Sequence, residues 1–399
     1  MLQLSRFRDS MARCTHCGLC QAVCPVYLED CLQTHLARAR IDLIRAALLE
    51  GSIPVTKRLR EVVKRCLLCT CCSQACAAQI PIDEIVAAAR SRLYEGIHRN
   101  PARRFLLHRT MARRGVSGLP AKAGLLALRM GWLPRDLPVP TRQSFEQRFR
   151  GTHLPEGKRR LRVAYFVGCA TNTFFPETGE AVLKVLRRNG IEVVVPTGLA
   201  CCGIPCLAEG DLTSLQEMVQ TNLGVLSSLD VDAIVTDCTS CGMMFKLKTL
   251  SLFLEGDPGR GQAESVSGKF WEVTDFLCHV GLDRRPGALA ESFTYHVPCH
   301  RSWTATVNDA PRVLLGAVPQ ARLVEQEDPQ RCCGAGGVFF AEFRDLAEKI
   351  RSRKIDDIRQ TGTTTVLTQC PACRAFLGAS LRGFRCMHPV SFLARAYGS

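Results

Sequence analysis

The sequence predicts an α+β multidomain protein, in which a small helical domain is followed by two duplicated α/β modules with parallel sheets. From residue 161 onward, short apolar runs alternate with helical patterns, which is typical of βαβ units. Cysteines also repeat along the chain at offsets of 130, 131 and 132 residues. Because so long a period indicates a duplicated domain rather than a solenoid, we expect two similar modules. The repeated cysteines are Cys169, Cys201 and Cys238, then Cys299, Cys332 and Cys370.

Three strands and two helices are predicted in each module. The strands are residues 161–167, 191–195 and 233–236, then 293–297, 322–325 and 364–367. The helices are residues 176–189 and 207–229, then 301–315 and 338–360. The expected domains are a helical domain at 1–95, a basic and proline-interrupted linker at 96–160, a first module at 161–285 and a second at 286–399.

Cysteine is the compositional outlier, with 23 copies among 399 residues. Small secreted proteins reach such cysteine densities because they form disulfides, but this chain is long. Its first residues also lack the apolar core that a secretory signal peptide has. No apolar run reaches the roughly 20 residues that a membrane-spanning helix needs. We therefore predict a cytoplasmic protein whose clustered cysteines serve metal or redox chemistry.

The net charge of +15 is concentrated in one stretch of the chain. Residues 96–160 contain fifteen Lys and Arg against three acidic residues. Such a stretch can contact an anionic membrane face peripherally or dock an acidic partner, and it can equally be a solvated linker. Nucleic acid is not predicted as a partner, since the stretch lacks a recognised binding motif.

Two dense cysteine motifs occupy the first eighty residues. Cysteines at this spacing are typical of paired [4Fe–4S] clusters, in which three thiolates hold one cluster and the fourth belongs to its neighbour. A zinc ribbon also uses paired cysteines, but the triple spacing followed by a fourth cysteine disfavours it. The predicted ligands are Cys14, Cys17, Cys20 and Cys76 for the first cluster, and Cys66, Cys69, Cys72 and Cys24 for the second.

Two details of the second motif depart from the pattern. Ala77 stands where the first motif has Pro25, so we expect an altered path for the chain after Cys76. Cys71 lies inside the motif and could compete as a ligand. Cys31, Cys206, Cys278 and Cys386 fall outside all motifs and are expected to be small buried apolar residues, with Cys206 as the best exception because it lies near Cys201.

Each α/β module carries five cysteines that follow predicted strands. The carboxyl ends of parallel strands meet at one edge of a sheet, so each set is expected to converge on one site. Five thiols exceed what one zinc ion or one cubane cluster requires, which favours an unusual cluster or a cluster with a reactive thiol. Structural zinc and buried free thiols remain alternatives. The sets are Cys169, Cys201, Cys202, Cys238 and Cys241, then Cys299, Cys332, Cys333, Cys370 and Cys373.

The arrangement Cys…Cys-Cys-Gly…Cys-x-x-Cys resembles the cysteine-rich CCG domain. The phrases that carry this resemblance are CCGIP from Cys201, CTSCG from Cys238, HVPCH from His296 and CCGAGG from Cys332. Two copies behind a twin-cluster ferredoxin-type domain resemble the iron–sulfur subunit of glycolate oxidase. The layout is also similar to one of the subunits of anaerobic glycerol-3-phosphate dehydrogenase and to catalytic subunits of heterodisulfide reductase. In the last group, the resemblance implies an unusual cluster held by the five cysteines of a module.

The resemblance implies an electron-transfer subunit. No flavin or other dinucleotide fingerprint precedes a first helix of a βαβ unit, and clusters accept single electrons. A partner FAD-containing dehydrogenase would oxidise glycolate, lactate or a related 2-hydroxy acid, and electrons would pass to quinone or another carrier. The alternative is a heterodisulfide reductase-type subunit that reduces a disulfide at the CCG site. No catalytic residue is singled out by the sequence.

Overall fold

The computed structural model describes residues 3–94, 138–301, 303–337 and 339–398. These residues form two compact units. One contains the N-terminal stretch to residue 94 together with Gly203–Gln216 and Arg331–Lys354; the other contains residues 138–202, Glu217–Gln330 and the chain from Ile355 onward. Most of the basic stretch predicted at 96–160 lies outside the described residues, and the predicted domain boundaries stay predictions.

The N-terminal part of the first unit is built from short helices, most of them one or two turns long. Its two cysteine loops share a backbone conformation. The residue before the second cysteine is left-handed in both loops, with φ of 56° at His16 and 53° at Leu68. Leu36, Ile41 and Ile44 form part of its core. The α-helices are Arg8–Ala12, Leu19–Ala22, Tyr27–Asp30, Ala37–Ile44, Lys57–Lys64, Cys71–Gln74 and Ile82–Tyr94, with 3₁₀ turns at Leu4–Phe7 and Gln33–His35 and a π-turn at Arg45–Glu50.

The second unit contains two sheets. The first has the order β1-β3-β2-β4-β5, and all of its strands are parallel except β1, which pairs antiparallel with β3. Parallel register places Val163 opposite both Val193 and Ala233. The strands are β1 Gly151–His153, β2 Leu161–Tyr165, β3 Ile191–Val195, β4 Ala233–Thr236 and β5 Phe270–Glu272.

The second sheet repeats the topology of the first. Its order is β7-β6-β8-β9, with every pair parallel, and this matches the β3-β2-β4-β5 part of the first sheet. Its strands are β6 Ser292–Tyr295, β7 Arg322–Leu323, β8 Thr365–Leu367 and β9 Arg385–Met387. The predicted fold class, a helical domain followed by two similar α/β modules with parallel sheets, is confirmed.

Helices cover the sheets and enclose an apolar core. Val163, Ile191 and Val235 are fully buried within it. Each such side chain contributes about 1.5–3 kcal/mol on burial. The α-helices after residue 138 are Phe145–Phe149, Cys169–Phe174, Pro176–Arg188, Ile204–Glu209, Leu212–Ser227, Thr239–Met243, Thr249–Leu252, Arg260–Lys269, Val273–Val280, Ala310–Gly316, Phe339–Glu342, Arg344–Gln360, Pro371–Gly378 and Pro389–Ala396, with a π-turn at Met244–Lys248.

Three predicted helices were wrong in extent. The helix expected at 207–229 is two helices, because Gly210 adopts a left-handed φ of 73° between them. The helix expected at 301–315 begins only at Ala310, where Pro311 occupies the first turn. The helix expected at 338–360 is interrupted between Glu342 and Arg344. Among the described helices, none has both the length and the apolarity needed to cross a bilayer.

Candidate iron–sulfur and cysteine-rich sites

Four cysteines from the two N-terminal motifs line one small cavity. They are Cys66, Cys69 and Cys72 of the second motif and Cys24 of the first. Leu68 donates its backbone N–H toward Cys66 Sγ at 3.5 Å. The structure thus brings together the four residues predicted for the second cluster, including Cys24, which comes from the other motif.

The buried and crowded thiols of this cavity favour the binding of a group that supplies positive charge. Burial raises the pKa of the Cys24 thiol, and the positive charge of Arg40 acts against this rise. Burial also raises the pKa of Cys72 well above its ordinary value, and the neighbouring Cys66 and Cys24 raise it further. Thiolates crowded in a buried place need positive charge nearby, and a set of four sulfur donors matches the soft ligands that iron–sulfur clusters take. The residues present therefore fit a [4Fe–4S] cluster.

Cys71 does not line this cavity. Its Sγ lies 3.7 Å from the carbonyl oxygen of Cys69, to which it can donate a hydrogen bond, and the side chain is buried. The second motif therefore presents Cys66, Cys69 and Cys72 to the cavity and turns Cys71 toward its own backbone. This arrangement disfavours the competing ligand that the sequence left open.

The cysteines predicted for the first cluster are more accessible. Cys17 is exposed, while Cys14, Cys20 and Cys76 are half-buried. Helices Leu19–Ala22 and Cys71–Gln74, which lie within the two motifs, pack against each other. The convergence of Cys76 on the other three stays a prediction.

The chain leaves the two motifs differently, as expected from Ala77. After Cys24 the backbone enters a helical turn, and Leu28 donates its N–H to the Cys24 carbonyl. After Cys76 it makes a tighter turn closed by Gln79, whose φ is 51°. One of the lone cysteines was judged wrongly, because Cys31 is exposed rather than buried. It follows a single helical turn at a left-handed position, where the chain faces solvent.

The five cysteines of the first module form one contiguous thiol cluster in the second unit. Cys169 begins a helix after β2, the pair Cys201 and Cys202 follows β3, and Cys238 caps the helix that carries Cys241 after β4. Cys201 Sγ lies 3.6 Å from Cys169 Sγ. Hydrogen bonds join Cys202 to Cys201 and Cys241, and Cys241 to Cys238.

The thiols of this cluster differ in acidity. Hydrogen bonds from Cys201 and Cys241 lower the pKa of Cys202 to about 6, although the side chain is buried. The hydrogen bonds that Cys241 makes with Cys202 and Cys238 raise its own pKa well above the ordinary value. A thiolate surrounded by thiols can bind a soft metal ion or attack a disulfide.

The second set of five cysteines is divided between the two compact units. Cys299, Cys370 and Cys373 belong to the unit with the sheets, while Cys332 and Cys333 belong to the other unit. A hydrogen bond from Cys373 lowers the pKa of Cys370 to about 7. Buried His296 has a ring nitrogen within 4.8 Å of Cys373 Sγ.

Sequence reasoning missed several polar side chains beside these cysteines. The residue before each Cys-x-x-Cys pair is held by a buried tyrosine: Tyr165 donates to Asp237 at 2.9 Å, and Tyr295 donates to Gln369 at 2.5 Å. The tyrosines recur at an offset of 130 residues and their partners at 132, like the cysteines beside them, and this was a signal that could have found them. Ser240 Oγ lies 2.9 Å from His300 Nδ1.

Arg90 was also missed. Its guanidinium donates to the carbonyl oxygens of Cys66 at 2.5 Å, Lys64 at 2.9 Å and Ala208 at 2.5 Å. It therefore ties the second cysteine loop to helix Ile204–Glu209 within the first unit.

Comparisons with known proteins agree with this layout. The family model of the cysteine-rich domain CCG matches residues 163–246 and 293–378, and that of the 4Fe-4S dicluster domain matches residues 10–80. A probable glycolate oxidase iron-sulfur subunit of Bacillus subtilis is 27% identical over 97% of this chain and 94% of its own length.

Two further relatives match a smaller part of the chain. Lactate utilization protein A of Geobacillus kaustophilus is 30% identical over 58% of this chain and 98% of its own length. One of the subunits of the CoM/CoB fumarate reductase of Methanothermobacter marburgensis is 32% identical over 55% of this chain and 42% of its own length. The chain belongs to the iron–sulfur oxidoreductase family that joins a 4Fe-4S dicluster domain to two CCG cysteine-rich domains.

Proposed function

We propose that this protein is the iron–sulfur electron-transfer subunit of a flavin-dependent 2-hydroxy acid dehydrogenase. The observation that carries the proposal is the cavity shared by Cys24, Cys66, Cys69 and Cys72, because ligand exchange between motifs keeps two clusters close together. In the proposal, Cys14, Cys17, Cys20 and Cys76 hold the other cluster. A [4Fe–4S] cluster supplies the uptake and release of one electron at a time.

Contacts within the first unit support electron passage between the dicluster domain and the cysteine-rich modules. Leu67, inside the second cysteine motif, packs so closely on Gly336 that a Cβ there would lie 2.3 Å from its Cδ2. Gly336 follows the Cys332–Cys333 pair by only three residues. Leu67 and Gly336 thus hold the segment that follows Cys333 against the loop that carries Cys66 and Cys69.

The substrate class rests on the relatives. One is described as a glycolate oxidase iron-sulfur subunit and another as a lactate utilization protein. We therefore assign the oxidation of glycolate, lactate or a similar hydroxy acid to a partner FAD-containing subunit, with quinone or another carrier as acceptor. The basic stretch at 96–160 would contact that partner or an anionic membrane face.

A second candidate is a catalytic disulfide reductase. It is favoured by the contiguous thiols of the first module, where Cys202 has a pKa of about 6 beside four other cysteines. Reduction of a disulfide by the isolated protein and a reduced dye, without any flavoprotein, would distinguish this activity from electron relay alone.

The test of the leading proposal is an iron and sulfide count with EPR on anaerobically purified protein. The Cys24→Ser variant should lose one of two interacting cluster signals and about half of the dicluster iron, because it removes one thiolate of a four-thiolate set. The Cys31→Ser variant is the control, since Cys31 is exposed and outside the motifs. Retention of both signals and all iron in Cys24→Ser would contradict the proposed ligand exchange.

A further inference from the structure

Arg40 is a buried cation, and no carboxylate of the described residues forms an ion pair with it. Its side chain is 2% exposed and lines the cavity that contains Cys24, Cys66, Cys69 and Cys72. Within the described residues, its guanidinium makes two hydrogen bonds, both to main-chain carbonyls: Val62 at 3.0 Å and Arg65 at 3.3 Å. A buried charge is costly unless an opposite charge compensates it, so these neutral acceptors do not account for its placement.

The one carboxylate among the residues that line this cavity has a hydrogen-bond donor of its own. Asp83 also lines the cavity, but its Oδ1 accepts a hydrogen bond from Ser73 Oγ at 2.7 Å. The other side chains of the cavity that can carry negative charge are those of Cys24, Cys66, Cys69 and Cys72. The four thiolates of the cavity are therefore the natural counter-ion of Arg40.

We propose that Arg40 is a positioning residue for the group held by these four cysteines, acting as its buried counter-ion and raising its reduction potential. The inference rests on the proposed binding of a [4Fe–4S] cluster in this cavity. Reduction adds one negative charge to a site that already carries four thiolates. A fixed positive charge in a poorly solvated place stabilises the reduced state more than the oxidised state.

The arginine also suits this role better than a lysine would. Its fork bonds the carbonyls of Val62 and Arg65, so the loop that leads into Cys66 is held at the same time as the charge is placed. Lysine would keep the charge but could not span both carbonyls in the same geometry. The two effects, charge and loop position, can therefore be separated by substitution.

The experiment is an EPR-monitored redox titration of the anaerobic full-length protein and three variants. In Arg40→Gln, the potential of one cluster should fall enough to change its reduced-to-oxidised ratio at least tenfold at a fixed potential, equivalent to ~59 mV for one electron. Arg40→Lys should give a smaller fall. Arg45→Gln is the matched control, because Arg45 lies in the same helical stretch but is 37% exposed and paired with Asp42 and Glu50.

The outcomes separate the inference from the proposed function. Two cluster signals in the unmodified protein support the proposed function, whatever the potentials of the Arg40 variants. The absence of these signals would contradict both the proposed function and the role of Arg40. Given two signals, unchanged potentials in both Arg40 variants would overturn the counter-ion role. If Arg40→Gln fails to assemble the cluster, assembly in Arg40→Lys supports the charge. Failure of both, with Arg45→Gln intact, would show that Arg40 serves the loop geometry alone.

Discussion

Steric constraints explain why the third residue of each Cys-Cys-Gly motif is a glycine. Gly203 and Gly334 both adopt left-handed conformations, with φ of 94° and 85°. A Cβ at Gly203 would lie 2.4 Å from Leu215 Cδ1, and one at Gly334 would lie 2.6 Å from the carbonyl oxygen of Ala347. In each case the second helix after the cysteine pair, Leu212–Ser227 or Arg344–Gln360, packs where the added side chain would stand.

At the residue scale, we predict that Gly334→Ala destabilises the protein more than Gly203→Ala. The left-handed conformation costs roughly 1–2 kcal/mol in either variant. Leu215 can rotate its side chain away, but the Ala347 carbonyl is part of a helix and cannot move without shifting it. Anaerobic thermal unfolding should show the larger fall of apparent Tm in Gly334→Ala.

Gly224→Ala is the matched control for both variants. Gly224 lies inside helix Leu212–Ser227, has a normal helical φ, and has no atom near the position of an added Cβ. Alanine there should be neutral or raise the apparent Tm slightly, since glycine weakens a helix interior by up to about 1 kcal/mol. Equal effects at Gly203 and Gly334 would contradict the argument from the fixed carbonyl.

At the scale of elements, sequence patterns located the central strands better than the helices. Strands Ile191–Val195 and Ala233–Thr236 were predicted with their observed bounds, because runs of buried β-branched residues mark them clearly. The short edge strands β1, β5 and β9 were missed, since three residues cannot display a period. Helix breaks at Gly210 and before Arg344 depend on local backbone that periodicity does not show.

The candidate sites divide in the same way. Cysteine spacing indicated the motifs, because the ligand geometry is encoded within a few neighbouring residues. Arg40, Asp237 and Gln369 were not predicted, because their importance comes from neighbours that are distant in sequence. In the sequence Arg40 is an ordinary arginine of a helix, and only the structure shows that it lines a cavity with four cysteines.

The N-terminus of helix Val273–Val280 carries the element-scale prediction. Its cap is Glu272, fully buried, which accepts from Thr274 N at 2.7 Å and from Gln369 Nε2 at 2.8 Å. Its other carboxylate oxygen lies 3.2 Å from His388 Nε2. Glu272→Ala should destabilise by about 3 kcal/mol, because buried donors lose a charged acceptor. That corresponds to a fall of apparent Tm of roughly 6–12 °C in anaerobic calorimetry.

Two further variants make this result specific. Glu272→Gln keeps an acceptor oxygen of the same shape, so it should cost less than the alanine variant. Glu264→Gln removes an exposed carboxylate that pairs with Arg260 along another helix, and it should change stability by less than about 0.5 kcal/mol. If Glu272→Ala behaves like Glu264→Gln, the cap does not stabilise this helix.

At the scale of the whole molecule, the two units depend on different sources of stability. The sheet-containing unit has an apolar cluster of strand and helix residues that includes Val163, Tyr165 and Phe392. The N-terminal part of the other unit relies on helices that mostly span four to eight residues, and isolated helices of that length are not stable in water. Bound metal can supply the missing folding free energy where ligands converge.

Removal of iron should therefore loosen residues 3–94 selectively. After anaerobic chelation, hydrogen–deuterium exchange should accelerate in helices Leu19–Ala22 and Cys71–Gln74, because the crowded thiols lose the cations that hold them together. Strands β2, β3 and β4 should keep their protection, since their hydrogen bonds and apolar contacts do not involve the N-terminal cysteines. Reconstitution with iron and sulfide is the control and should restore slow exchange. Uniform loss of protection along the chain would mean that the clusters support the fold of the sheets as well, and unchanged exchange in residues 3–94 would mean that the helical domain folds without them.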